Sequence, residues 1–360
     1  MSYNGNVGMT AGGGGKRSAG LDFVRSCAIL FVIAGHFFVL NTPFYNVPFE
    51  GISLFLQASV LPLFLTGVPL FLMLTGYLNA NKAVCRPYYR GIWRVLLAYF
   101  LFSVLTLAFR RYYLHEQLGI LQGLHKITMF SAIPYAWYIE MWIGLFLVTP
   151  FLNILYKNIP CPRHKQLLIL TLFMLTAVPE CLNRYGCHLV PGYWQACYPV
   201  MFYFIGSYIK EFQPTVKPVY LLGVIVACSL VTPVFNALFV HHHTIIKIAG
   251  GSYGVFGTAI AVAFFLLIYR SEVKNTAVAK VFAKVSLLAL DMYLCCYIFD
   301  AIYYPWFKEH FFISQQQFGI YFFVVVPLVF LSSFVVAQMK AWLFRIDRLV
   351  RPYRHSHKEN

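Results

Sequence analysis

Charged side chains are scarce in this sequence. Asp, Glu, Lys and Arg make up 11% of its 360 residues, against about 25% in soluble globular domains. Such a chain cannot clothe a large water-facing surface, which excludes an ordinary soluble enzyme. Acidic groups are fewer than basic ones, 12 against 28. No CxxC pair occurs among the nine cysteines, so zinc-ribbon and dithiol redox sites have no support. Internal repeats are lacking, as is any inverted pair of interrupted helices of the kind transporters carry. No small-residue cleavage site follows the first apolar segment, so residues 1–20, with a tetraglycine at Gly12 to Gly15, read as a disordered cytoplasmic leader rather than a signal peptide.

What the sequence has in abundance is apolar runs. Sixty per cent of its residues are hydrophobic, and a helix needs about 20 of them to cross a hydrocarbon core about 30 Å thick. Runs bounded by charge, proline and glycine fall at 21–40, 52–79, 89–112, 134–156, 165–180, 193–209, 219–239, 251–270, 285–305 and 319–342. The expected fold is therefore all-α: a polytopic membrane helix bundle of about ten transmembrane helices spanning 21–345, followed by a basic tail, 346–360. The formal charge of +16 sits in the connections between runs, as topology signals do, and not on a basic helix that would bind nucleic acid. With the N-terminus inside, 22 of the 28 Lys and Arg lie on the cytoplasmic side, which favours both termini in the cytoplasm. Cys181 and Cys187 share one short connection and can pair if it is extracytoplasmic. The triple histidine His241 to His243 reads as a polar loop, because three adjacent residues on a helix cannot face one ion.

Ionisable groups within these runs cost about 2.5–3.5 kcal/mol each on insertion scales, so each is a functional candidate. The first run holds two, Arg25 and His36. Eleven positions at about 100° each make three turns plus roughly 20°, which puts both on one face about 16 Å apart. Asp22, one turn earlier, lies on nearly the same face. Depth along the alternating spans brings Glu140 and Asp300 to the level of His36, where a carboxylate can orient an imidazole as general base. Tyr293, Cys296 and Tyr297 share a face with Asp300, and Trp137 lies one turn from Glu140. At the opposite level Arg86, Arg90 and Arg94 are spaced by four, a stripe suited to phosphate. Each residue also has an ordinary reading: Arg25 reaching the headgroups, His36 a satisfied core histidine, Glu140 and Asp300 interfacial, and Arg86 a topology signal.

Several segments together resemble one family. "LDFVRSCAILFVIAGHFF" (21–38) is similar to the opening of acyltransferase family 3 proteins, with an arginine, ten residues, then a histidine. "VPLFLMLTGYLNANK" (68–82), "RGIWRVLLAY" (90–99), "AWYIEMWIGLFLVTPFLN" (136–153) and "LDMYLCCYIFD" (290–300) resemble later family segments in the same order. The resemblance implies an integral membrane enzyme that moves an acyl group, usually acetyl, from acyl-CoA to a hydroxyl, often on a bacterial surface glycan. It also implies a multi-pass location in the bacterial inner membrane. Arg25 and His36 match the family's hallmark pair and Arg94 its last basic-motif arginine, whereas Arg90 matches only approximately. Where many members carry histidines, this chain has Tyr135 or Ala136, and Cys295-Cys296.

The resemblance and the residue pattern together set the expected roles. Arg25, Arg90 and Arg94 hold the phosphates of acyl-CoA, His36 acts as base with Glu140 or Asp300 behind it, and Trp137, Tyr293 and Tyr297 line the substrate path; no metal is expected. Ser26 and Cys27 are the alternatives as covalent acyl carriers. The competing class is a transporter or flippase for a glycan or lipid-linked intermediate, which would use the same charges as a pathway.

Overall fold

The structure, a computed structural model, describes residues 18–183, 188–240, 242–248 and 250–344. The leader up to residue 17, the basic tail, His241 and Cys187 of the Cys181–Cys187 pairing all lie outside the described residues. The chain folds into α1 (Ala19–His36), α2 (Gly51–Phe64), α3 (Gly67–Asn79), α4 (Arg86–Tyr89), α5 (Ile92–Tyr112), α6 (Ile120–Thr128) and α7 (Trp137–Lys157). It continues through α8 (Pro162–Leu182), α9 (Tyr198–Phe212), α10 (Pro218–Phe239), α11 (Val255–Ile268), α12 (Thr276–Phe311), α13 (Gln315–Phe318) and α14 (Phe322–Leu343). Among the described residues β pairing is confined to one bridge, Pro48 to Thr244. The architecture is a multi-pass, all-helical membrane bundle.

Each apolar run of the sequence falls on helix, with some boundaries displaced. Eight stretches are long and apolar enough to cross a membrane. α11, with 14 residues, and α9, with 15, are shorter, and nine residues of α9 are buried by its neighbours. The 52–79 run is two helices with a break at Leu65–Thr66, where the Thr66 hydroxyl donates to the Leu63 carbonyl at 2.6 Å. The 285–305 run is the middle of a 36-residue helix, α12, about 54 Å long at 1.5 Å per residue. The stripe expected of Arg86, Arg90 and Arg94 is interrupted, because α4 ends at Tyr89 and α5 begins at Ile92, leaving Arg90 and Gly91 in a turn.

α1 lies at the centre. One of its faces packs Val24, Ala28 and Phe31 against α3, α9 and α11; another packs Ile29 and Ile33, with Phe37 just beyond the helix, against α12 and α14. Small residues set the closest crossing, that of α3 on α9. A Cβ on Gly76 would lie 2.0 Å from the Tyr203 carbonyl oxygen, and one on Gly206 would lie 2.0 Å from that of Met73. Each glycine thus admits the other helix's backbone, the small-residue contact on which membrane helices pack in lipid. Gly206→Val is expected to push these helices apart and destabilise the protein by about 1–3 kcal/mol. Thermal unfolding of purified protein checks this, and an unchanged transition would refute the crossing described.

Candidate active site

His36 is the last residue of α1, and the chain runs directly from it into a turn of π-helix, Phe37–Asn41. That wider turn matters for register. Five residues on an α-helix put Asn41 about 140° away from His36, whereas a π turn closes on i+5. The Asn41 amide donates both to the His36 carbonyl, at 3.1 Å, and to Asp300 Oδ2, at 3.2 Å. Nδ1 of His36 lies 3.4 Å from the same Asp300 oxygen. Asp300 is 1% exposed, and the His36 side chain is 13% exposed.

Two more groups complete the surround. The Tyr135 ring packs against the imidazole with centroids 4.2 Å apart, and its hydroxyl donates to Asp300 Oδ2 at 2.9 Å. Cys296, one turn before Asp300, brings Sγ to 4.0 Å from His36 Nδ1. With Nδ1 turned to a carboxylate, the imidazole is steered to the tautomer that leaves Nε2 as the basic nitrogen. Oδ1 of Asp300 is buried and makes no hydrogen bond among the described residues.

The Arg25 level is an apolar cavity of about 230 Å³ between α1, α3, α5, α7 and α12. Arg25 lines it and donates to Ser286 Oγ at 3.4 Å. Val32, Phe71, Val95, Ile139 and Leu290 provide apolar wall, and Tyr293 is also part of the lining. Tyr293 lies seven residues beyond Ser286 on α12, about 10 Å further along the axis, and its hydroxyl donates to the Tyr135 carbonyl. The two levels seen in the sequence are thus joined: the cavity holds Arg25 and Tyr293, and Tyr293 holds the residue that packs on His36.

Of the expected partners, Asp300 meets His36 and Glu140 does not, being exposed on α7. Trp137 is 50% exposed and packs edge-on against Tyr138, outside the cavity lining. Tyr297 is half-buried and sets its ring edge-on to Tyr135 at 5.4 Å. Arg90 and Arg94 are exposed, with Arg94 adjoining the cavity-wall residue Val95. Ser26 is poorly placed to carry an acyl group, because its hydroxyl donates to the carbonyls of Asp22, at 2.8 Å, and Phe282, at 3.1 Å. No cluster of three metal-ligating side chains occurs among the described residues. Asn41 was invisible to α-helical spacing. Tyr135 could be suspected only as a departure from the family pattern, and the i−4 spacing from Asp300 did flag Cys296.

A histidine paired with a buried carboxylate above a cavity with an arginine in its wall, within a multi-pass bundle, has the layout of a membrane-embedded group-transfer site. Residues 18–338 match the family model described as "Acyltransferase domain", and the chain belongs to that acyltransferase family. It is accordingly a membrane acyltransferase. Searches of curated proteins and of solved structures each returned no match.

Proposed function

We propose that the protein transfers an acyl group, acetyl in the simplest case, from acyl-CoA to a hydroxyl of an envelope glycan. The observation that carries this reading is that Arg25 and the His36–Asp300 pair stand at two levels of one helix face, with an apolar cavity running from the first toward the second. A guanidinium suits the phosphates of the donor, with Arg94 and Arg90 outside the cavity adding positive charge. The apolar walls suit the uncharged arm that carries the thioester. Nε2 of His36 takes the acceptor hydroxyl's proton, the oxygen attacks the thioester carbonyl, the C–S bond breaks, and the imidazolium returns the proton to the thiolate. Asp300 holds the imidazole and offsets its positive charge while the proton is there. Both termini face the cytoplasm of a bacterial inner membrane, a reading supported by the distribution of Lys and Arg.

The test is turnover by purified protein in lipid nanodiscs, with radiolabelled acetyl-CoA and a bacterial envelope polysaccharide. CoA release that depends on the polysaccharide, with label entering it as an ester, is the expected result. Release at the same rate without acceptor, or none at all, would exclude the reading. Arg25→Ala is expected to raise the KM for acetyl-CoA at least about tenfold while kcat falls far less, since a phosphate contact made before and during reaction is uniform binding. A change confined to kcat would remove Arg25 from the donor site.

A further inference from the structure

We infer that Tyr135 is a positioning residue of the His36–Asp300 pair, its ring fixing the imidazole and its hydroxyl fixing the carboxylate. The inference rests on the proposed acyl transfer and concerns what makes its base competent. Asp300 Oδ2 is the hub: His36 Nδ1, the Asn41 amide and the Tyr135 hydroxyl all converge on it, at 3.4, 3.2 and 2.9 Å. The shortest of the three comes from Tyr135. A carboxylate free to rotate would present either oxygen to the imidazole; one bonded by two further donors presents a defined oxygen. The ring contact acts on the other partner, since an imidazole pressed on one side by a phenol ring has fewer rotamers open to it.

Tyr135 can do this because the strap that carries it, the connection 129–136 between α6 and α7, is anchored from outside. Ala132, Ile133 and Ala136 are fully buried. Nη1 of Arg110 donates to the carbonyls of Ala132 and Ser131, at 3.1 and 3.4 Å, while its Nε and Nη2 grip the Glu116 carboxylate. The hydroxyl of Tyr99 donates to the Ile127 carbonyl at 2.8 Å. On the inner side the Tyr293 hydroxyl, in the cavity wall, donates to Tyr135's own carbonyl. A donor molecule lying in the cavity therefore touches the residue that holds Tyr135, which links donor occupancy to the placement of the base.

The groups facing His36 are Asp300 and Cys296 from α12 and Tyr135 from the strap. Tyr297 and Tyr304 lie one turn to either side of Asp300, and Arg110 with Glu116 lies behind the strap. Tyr135→Phe keeps the ring and removes one donor from the carboxylate. Asp300 then loses one of the two donors that fix which oxygen it presents to the imidazole. We expect kcat at neutral pH to fall about tenfold and the KM for acetyl-CoA to stay within about twofold. Tyr135→Leu, which loses ring and hydroxyl, is expected to fall further, about a hundredfold in kcat, again without a matching rise in KM.

Thermal unfolding identifies a variant that has simply failed to fold, and the conservative Phe variant is the one on which the inference stands. Wild-type kcat in Tyr135→Phe would overturn it, as would a loss carried wholly by KM. Failure of the underlying reading looks different: His36→Ala would then turn over acetyl-CoA as fast as wild type. In that case the ¹⁵N chemical shifts of histidine-labelled protein, which report the imidazole tautomer, still decide the point, with His36 assigned by its absence in His36→Ala. His36 shifts that are the same in wild type and Tyr135→Phe would overturn the positioning role.

Discussion

Replacing His36 with alanine is expected to lower acceptor-dependent acyl transfer by about 10²–10⁴-fold, the range that a positioned general base contributes. Asp300→Asn should lie at the lower end of that range. The amide can still accept a hydrogen bond from Nδ1, but it carries no charge to offset the imidazolium, and its NH₂ group can turn toward Nδ1 and favour the wrong tautomer. Because the two residues act on one proton transfer, the double variant should be little worse than His36→Ala alone. Glu140→Gln is the contrasting control: an exposed carboxylate on α7 should change kcat by less than about twofold. The measurement is CoA release in nanodiscs at saturating donor, with unfolding temperature recorded for each variant. Near wild-type turnover in His36→Ala would remove the base from the mechanism. Additive losses in the double variant would separate Asp300 from it.

The second large effect concerns a charge pair far from this chemistry. Lys340 Nζ lies 2.5 Å from Asp291 Oδ1, with the side chains only 15% and 12% exposed, and the ammonium also sits 5.2 Å from the centre of the Phe102 ring. Asp291 is nine residues from Asp300, which turns it about 180° around α12. α12 thus carries one carboxylate toward α1 and another toward α14. Removing either partner leaves the other charge desolvated, so Lys340→Ala or Asp291→Ala is expected to cost about 3–5 kcal/mol. Replacing both with leucine should recover most of that loss, because packed apolar residues can substitute for a buried pair. Unfolding transitions in detergent check the series. Equal stability of the single and double variants would mean the pair contributes by packing alone.

These two cases also mark what the sequence could and could not tell. The helical class was legible because apolar runs of membrane-spanning length leave few alternatives. The shared face of Arg25 and His36 was legible because α1 is regular up to His36, so 100° steps hold. Asp300 was reached by depth alone, and depth equally nominated Glu140; choosing between them needs helix rotation, which α7 and α12 settle through packing. Lys340, at the edge of the last apolar run, reads in the sequence as one more cytoplasmic topology charge. Its pairing with Asp291 depends on how α12 and α14 cross, and one strand of sequence carries no such information. The 36-residue length of α12 was hidden for a similar reason, since its polar ends read as loop. Asn41 was missed because the helix changes period at the one place where it matters.

That change of period makes the site depend on the local helix geometry as well as on chemistry. The π turn holds one residue more than an α turn would, and the surplus residue is what swings Asn41 back under His36. If the same five residues relaxed to α-helix, the amide would move to about 140° from His36 and Asp300 would lose a donor while every side chain of the hydrogen-bonded set survived in the sequence. With one residue fewer, an ordinary α turn would hold the amide at i+4, about 40° from His36. An amide at the fifth position after the histidine therefore needs the wider turn, and one at the fourth position does not.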